Sequence, residues 1–169
     1  EAAAAQTPSA ENFYWGLPKD FLHREAVDER RLWSFLTTNQ ADLLDQWRGR
    51  GGSVKDAVIK ELKRTIESRG VLDILKNGLE VDNLQASKRL RLFYPKPTAA
   101  DSAESHTKYA SNQFSITRQA IYSLINPGNE IDMVVFVNGL PLFTFELKNP
   151  WTGQTAAYNG RKQYREHRD

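Results

Sequence analysis

The sequence predicts an α/β fold, a mixed sheet flanked by helices, from three observations. Val54, Val58, Leu62 and Ile66 recur every four residues, as on one face of a helix. Between residues 113 and 148 the chain breaks into strand-length apolar segments, separated by Asn126-Pro-Gly-Asn129 and Asn138-Gly139. Helical segments precede these strands and another follows them, which implies helices packed on a sheet.

Residues 1–12 are small and polar and read as a flexible tail, leaving 13–169 for one domain. Arg24 to Phe35 suits a helix, with Leu32, Trp33 and Leu36 as its apolar stripe, and Asn39 caps a second helix through Leu43, Leu44 and Trp47. The spacing predicts a helix over 54–68, opened by the capping-box variant Ser53-Val-Lys-Asp56 and closed at Gly70. Val71 to Leu75 is a further apolar stretch ending at Asn77-Gly78, and Arg89 to Tyr94 alternates as a strand does before Pro95 and Pro97. Residues 95–113, rich in Pro, Ser, Thr, Ala and charge, read as a long loop.

Phe114, Ile116, Arg118, Ala120 and Tyr122 then share one face of a strand. Ile131 to Val137 and Leu142 to Lys148 flank Asn138-Gly139, and both turn residues tolerate the positive φ of a type I′ hairpin. After Asn149-Pro150, residues 155–168 form a helix despite Gly160.

With 169 residues, 40% hydrophobic content and four Trp, the chain can bury one core of ordinary size. Its net charge of +2 requires that any nucleic-acid affinity come from a local basic patch. A mean hydropathy of −0.61 and the lack of a long apolar run exclude a membrane-crossing helix. The absence of cysteine excludes disulfides, thiolate catalysis and Cys-based zinc sites, and fits a cytoplasmic protein. The chain starts at Glu1 and stops within Gln163 to Asp169, which reads as a piece of something longer. It holds no GxxxxGK[ST] loop, so any ATP site of the whole protein lies outside these residues.

Asp132 opens the first hairpin strand, and Glu146 and Lys148 lie near the end of the second. In a strand, residues i and i+2 point the same way, and an antiparallel return can bring Asp132 beside them. Two carboxylates at a strand edge suit Mg²⁺, which keeps several waters and takes substrate phosphate oxygens. A neighbouring lysine can orient the attacking water and stabilise developing charge. Spacing alone leaves a strand-end salt bridge equally open, because a carboxylate two residues before a lysine should occur about once by chance in such a sequence. A second copy, Glu61-Leu-Lys63 with Asp45 upstream, lies on a helix, where i and i+2 diverge by about 200°.

Asn112-Gln-Phe-Ser-Ile-Thr-Arg-Gln119 and the run from Ile131 through Asn138-Gly-Leu-Pro141 to Glu146-Leu-Lys-Asn-Pro150 resemble the N-terminal nuclease region of the restriction (R) subunit of type I restriction-modification enzymes. The resemblance extends through Ser68 to Leu75 and His23-Arg-Glu25, covering most of residues 23–169. It implies a PD-(D/E)xK nuclease-like fold, with Asp132, Glu146 and Lys148 as the catalytic motif and Asp132 and Glu146 as metal ligands. Ile131 stands where the family motif usually has proline.

The family also carries an upstream acid on its first helix, for which Glu29 is the best match and Glu25 the neighbouring alternative. A surface salt bridge is as good a reading of either. The related QxxxY motif is incomplete here: Tyr164 is carried over, with Gln154 and Gln163 as open alternatives. Arg161, Lys162, Arg165 and Arg168 surround Tyr164, and their place after the motif suits DNA phosphates, a solvated helix face being the other reading. His23, His106 and His167 fall in no metal-ligand spacing.

The resemblance thus implies an Mg²⁺-dependent type I deoxyribonuclease domain acting on double-stranded DNA, inactive or weak as an isolated fragment. Its partners would be the modification and specificity subunits, with ATP used by a motor elsewhere in the chain and no membrane involved. A motor-free PD-(D/E)xK nuclease and a non-catalytic DNA-binding or docking domain of the same fold are the alternatives.

Overall fold

The computed structural model describes residues 13–22, 24–48, 53–81, 89–123, 125, 126, 128–147, 162 and 165. The expected tail at 1–12 lies outside them. So does most of the helix expected over 155–168, of which Lys162 and Arg165 are described as helical and exposed.

Short strands β1 (Phe13–Trp15), β2 (Phe21–Leu22) and β3 (Val27–Asp28) precede the helices, with one 3₁₀ turn at Pro18–Asp20. Helix α1 (Glu29–Arg48) therefore starts later than the expected Arg24, after the antiparallel β2–β3 pair. Asp28 sets that start: its Oδ1 accepts from the Arg31 amide at 3.1 Å, satisfying an otherwise unpaired first-turn donor.

The expected break between two helices is present within α1, at Gln40, whose φ of −144° is not helical, but Asn39 is not the cap of the second. The side chain of Gln40 holds the main chain of Arg91, donating to its carbonyl and accepting from its amide, both at 2.8 Å. Asn39 instead donates back to the Phe35 carbonyl at 2.9 Å and accepts from Ser111 Oγ.

Helix α2 (Val54–Arg69) matches its expected span, with Ser53 Oγ accepting from the Asp56 amide and Gly70, at φ 81°, closing it. Val71–Asn77 forms α3. Leu32, Phe35, Leu36 and Leu44 of α1 bury against Val58 and Leu62 of α2, Ile74 of α3, and Leu79, Leu90, Leu92 and Leu140. Burial of each such side chain stabilises by about 1.5–3 kcal/mol.

Two expectations need correction here. Arg89 to Tyr94 forms no strand, only an isolated bridge between Leu79 and Leu90. Several of its main-chain groups are taken by side chains: the Arg91 amide and carbonyl by Gln40, the Leu92 carbonyl by Asn138, and the Tyr94 amide and carbonyl by Asn112. Residues 95–113 are not all loop, because α4 (Ala103–Ala110) lies within them. Ser102 caps α4, and a Lys108–Glu104 ion pair at 2.6 Å supports it.

Strands β4 (Phe114–Ile121), β5 (Glu130–Val137) and β6 (Leu140–Phe145) form an antiparallel meander, and β1 adds to β4 in parallel. Among the described residues the sheet is four-stranded and mixed, in the order β1-β4-β5-β6. The expected common face of β4 is interrupted at Gln119, whose φ is 52°. Ahead of it Ser115 and Thr117 are buried and Arg118 is exposed, while Ala120 joins Phe21, Ile131, Val134 and Phe136 in a second apolar cluster.

The Asn138-Gly139 turn has the expected positive φ at both residues, 49° and 81°. It also meets the end of β3, just before α1, since the Gly139 carbonyl accepts from the Asp28 amide at 2.9 Å. A Cβ at Gly139 would strike the Asp28 carbonyl and lie 2.6 Å from the Leu32 amide nitrogen. Gly139→Ala should therefore destabilise the fold by about 2–5 kcal/mol, combining a left-handed backbone with overpacking. Chemical denaturation checks this, and an unchanged midpoint would contradict the packing described.

Candidate active site

An Asn-Gly turn alone would not place Asp132 and Glu146 together. Next to the turn, Val137 faces Leu140 and Phe136 faces Pro141. Continued without interruption, that register sets Phe145 opposite Asp132 and turns Glu146 to the other side of the sheet. The ladder instead shifts by one residue: Val135 faces Phe143, Val134 faces Thr144 and Met133 faces Phe145. Leu142 is the extra residue, and extending the shifted register by one pair puts Glu146 opposite Asp132 on a shared face.

The main chain beyond β6 supports this placement, because the Leu147 amide donates to Asp132 Oδ2 at 2.5 Å. Asp132 and Glu146 are both half-buried, so the two carboxylates sit at a rim of the sheet open to water. Lys148 lies outside the described residues.

The hairpin tip is held by a buried amide network that sequence reasoning missed. Asn138 Nδ2 donates to the Leu92 carbonyl and to Asn112 Oδ1, both at 2.9 Å, and Asn138 Oδ1 accepts from the Gln113 amide. Asn112 in turn donates to the carbonyls of Tyr94 and Tyr109. Asn138 therefore anchors the tip of the hairpin as well as shaping its turn. The Asn-Gly pair announces the turn, but nothing in its neighbourhood announces Leu92 or Asn112 as partners.

Glu29 occupies the first turn of α1, with its carboxylate 2.6 Å from Lys55 Nζ of α2. Both side chains are about a third exposed, the setting of a weak surface pair worth about 0–1 kcal/mol. Glu25 is half-buried in the turn before β3. Among the described residues no three His, Asp or Glu side chains converge, so neither acid joins Asp132 and Glu146 in a cluster. Lys162 and Arg165 are exposed, whereas Arg161, Tyr164, Gln154, Gln163 and Arg168 lie outside the described residues. His23 and His167 also lie outside them.

The second Glu-Leu-Lys copy lies within α2. Glu61 there accepts from Arg64 at 2.6 Å and from Thr65 Oγ1, while Lys63 is exposed. Helical geometry ties this glutamate to residues three and four positions on, and directs Lys63 elsewhere.

Two carboxylates on one face fit a hard divalent cation that completes its shell with water and phosphate oxygen. No helix among the described residues is long and apolar enough to cross a membrane. No curated protein and no solved structure matches the chain. The family described as "Type I restriction enzyme R protein N terminus" (HSDR_N) matches residues 11–169. That match spans nearly the whole sequence and includes the β5–β6 hairpin, so the chain belongs to the family of type I restriction enzyme R protein N-terminal regions.

Proposed function

We propose that this chain is the endonuclease domain of a type I restriction enzyme R subunit, hydrolysing phosphodiester bonds of double-stranded DNA with Mg²⁺. The observations that support the reading are the one-residue register shift in the β5–β6 hairpin, which continued past Phe145 sets Glu146 opposite Asp132, and the bond from the Leu147 amide to Asp132, in a chain of this family. Asp132 and Glu146 would hold the metal, which when bound supplies Lewis-acid polarisation of the scissile phosphate. The Leu147 amide orients the Asp132 carboxylate through Oδ2. Lys148 positions the attacking water and offsets charge growing on the phosphoryl oxygens. Glu29, engaged by Lys55, is left out of the metal set.

The exposed Lys162 and Arg165, with Arg161 and Tyr164, would track DNA phosphates and contribute affinity without sequence preference. In this reading the modification and specificity subunits supply recognition, and ATP serves a motor elsewhere in the chain. The site of action is the cytoplasm.

Calorimetric titration of the nucleotide-free R subunit with Mg²⁺ or Mn²⁺ tests the metal site. Binding at this site should be present in the parent and lost in the Asp132→Ala, Glu146→Ala double variant, while Ca²⁺ binds the parent without supporting turnover. Equal Mg²⁺ affinity in the two proteins would sink the assignment.

A further inference from the structure

We propose that Glu130, oriented by Gln119, is an outer carboxylate of the Asp132 site that accepts from a water of the hydrated cation, making Gln119 a positioning residue. The consequence for metal binding rests on the nuclease reading above, whereas the arrangement of the two side chains does not.

Gln119 has a φ of 52°, and the other non-glycine residues with positive φ among those described, Ala26 and Asn138, lie in turns. Of the three, Gln119 alone stands inside a strand, β4. A left-handed backbone there is uncommon for a side chain of this size and marks a constrained position. The β4–β5 ladder locates it: Arg118 faces Met133 and Ala120 faces Ile131, so Gln119 falls opposite Asp132.

The side chain of Gln119 reaches diagonally across that ladder. Its Nε2 donates at 3.2 Å to Oε1 of Glu130, two residues before Asp132 on β5. Long side chains span such diagonals, and residues i and i+2 of a strand share a face, so the bound carboxylate of Glu130 stands on the side of the sheet that carries Asp132. Glu130 and Asp132 are both half-buried, while Gln119 is exposed.

Residues i and i+2 of a strand are about 6.6 Å apart, whereas two ligands of one Mg²⁺, each at about 2.1 Å, lie within about 4.2 Å of each other. No three acidic side chains converge among the described residues, so Glu130 is not a third ligand beside Asp132 and Glu146. Its role lies one layer further out. Mg²⁺ keeps several waters, each with hydrogens to donate. A carboxylate beside the ligands holds such a water in place and adds negative charge that attracts the cation. The amide of Gln119 engages one oxygen of Glu130 and leaves the other to accept.

Calorimetric titration of the nucleotide-free R subunit with Mg²⁺ reads the effect on binding, with the Asp132→Ala, Glu146→Ala double variant as the blank. Glu130→Gln removes the charge and should lower Mg²⁺ affinity about 10–100-fold. Gln119→Gly suits the left-handed backbone and keeps the carboxylate but frees it to turn. It should lower affinity about 2–10-fold, the worth of one hydrogen bond. Combining the two should weaken binding no further than Glu130→Gln alone, since the amide acts only through that carboxylate.

Parental affinity in Glu130→Gln overturns the proposal and leaves the metal site standing. So does parental affinity in Gln119→Gly beside a weakened Glu130→Gln, because a carboxylate acting by charge alone needs no orientation. Losses that add in the combined variant would remove the positioning role of Gln119. If parent and blank titrate alike, the metal site is absent, and the nuclease reading falls together with the proposal. Should Gln119→Gly not fold, Gln119→Asn decides: asparagine tolerates the same φ, but its amide falls one methylene short of Glu130. Affinity must fall there too, and a parental value overturns the proposal.

Discussion

Lys148→Ala in the assembled enzyme is expected to lower DNA cleavage by about 10²–10⁴-fold, the range for loss of a positioned proton-transfer or charge-stabilising group. Lys148 follows Glu146 by two residues in the hairpin segment that carries the proposed carboxylate pair. With the metal ligands intact, DNA and cation should still bind, and the deficit should lie in the chemical step. ATP hydrolysis and translocation, placed elsewhere in the proposed architecture, should continue at parental rates. Plasmid cleavage measured beside ATP turnover separates the two activities. Cleavage at the parental rate would remove the role given to this lysine.

Arg31→Met is expected to have the largest effect on stability, a loss of about 3–5 kcal/mol, because it leaves a buried carboxylate without its partner. Arg31 donates to Asp28 Oδ2 at 2.6 Å and to the Trp15 carbonyl at 2.9 Å, and its guanidinium lies 5.7 Å from the Tyr14 ring centre. Both members of the pair are almost wholly buried, at 5% and 1% exposure. One side chain thus ties β1 to the start of α1, next to the hairpin turn.

The pH dependence of the Arg31→Met deficit has a definite sign. Burial pushes the Asp28 carboxyl above its ordinary range, and its bonds and charge attraction to Arg31 pull it back only in part. A raised carboxyl contributes stability that is fully present below the ordinary carboxylate range and is lost as pH rises through the folded value. Removing the guanidinium leaves burial unopposed and raises the group further. The deficit of the variant should therefore be largest near neutral pH and shrink on acidification. Urea denaturation across that range measures it, and a small deficit independent of pH would mean that the pair behaves as a surface contact.

The parts of the fold legible in the sequence are those whose causes are local. Ser53, the four-residue spacing from Val54 to Ile66, and Gly70 define α2 within 18 residues, and Asn138-Gly139 specifies its own turn. The segment 89–94 alternates like a strand but meets side chains from Gln40, Asn112 and Asn138, partners 18 to 51 residues away. α4 buries no residue, so it has no apolar stripe to read, although Ser102 and the Glu104–Lys108 pair mark its ends and face. The parallel pairing of β1 with β4 joins residues about a hundred positions apart, as Phe13 with Phe114.

The candidate site divides in the same way. Asp132 and Glu146 could be named from strand alternation, but the register that would set them opposite one another depends on the one-residue shift at Leu142, which alternation does not announce. Helical spacing could place Glu29 on a face of α1. It could not show that Lys55 of the next helix would take its carboxylate.

Cleavage by two matched pairs of substitutions tests the central claim most directly, because Glu61-Leu-Lys63 and Glu146-Leu-Lys148 have the same letters in different backbones. Glu61→Gln with Lys63→Gln removes one helical ion pair, whose arginine is exposed and whose glutamate is largely covered, so stability should change by no more than about 1 kcal/mol and cleavage should persist. Glu146→Gln with Lys148→Gln should leave the fold intact and abolish cleavage. If the helical pair proves essential and the strand pair dispensable, the site on the β5–β6 hairpin is wrong.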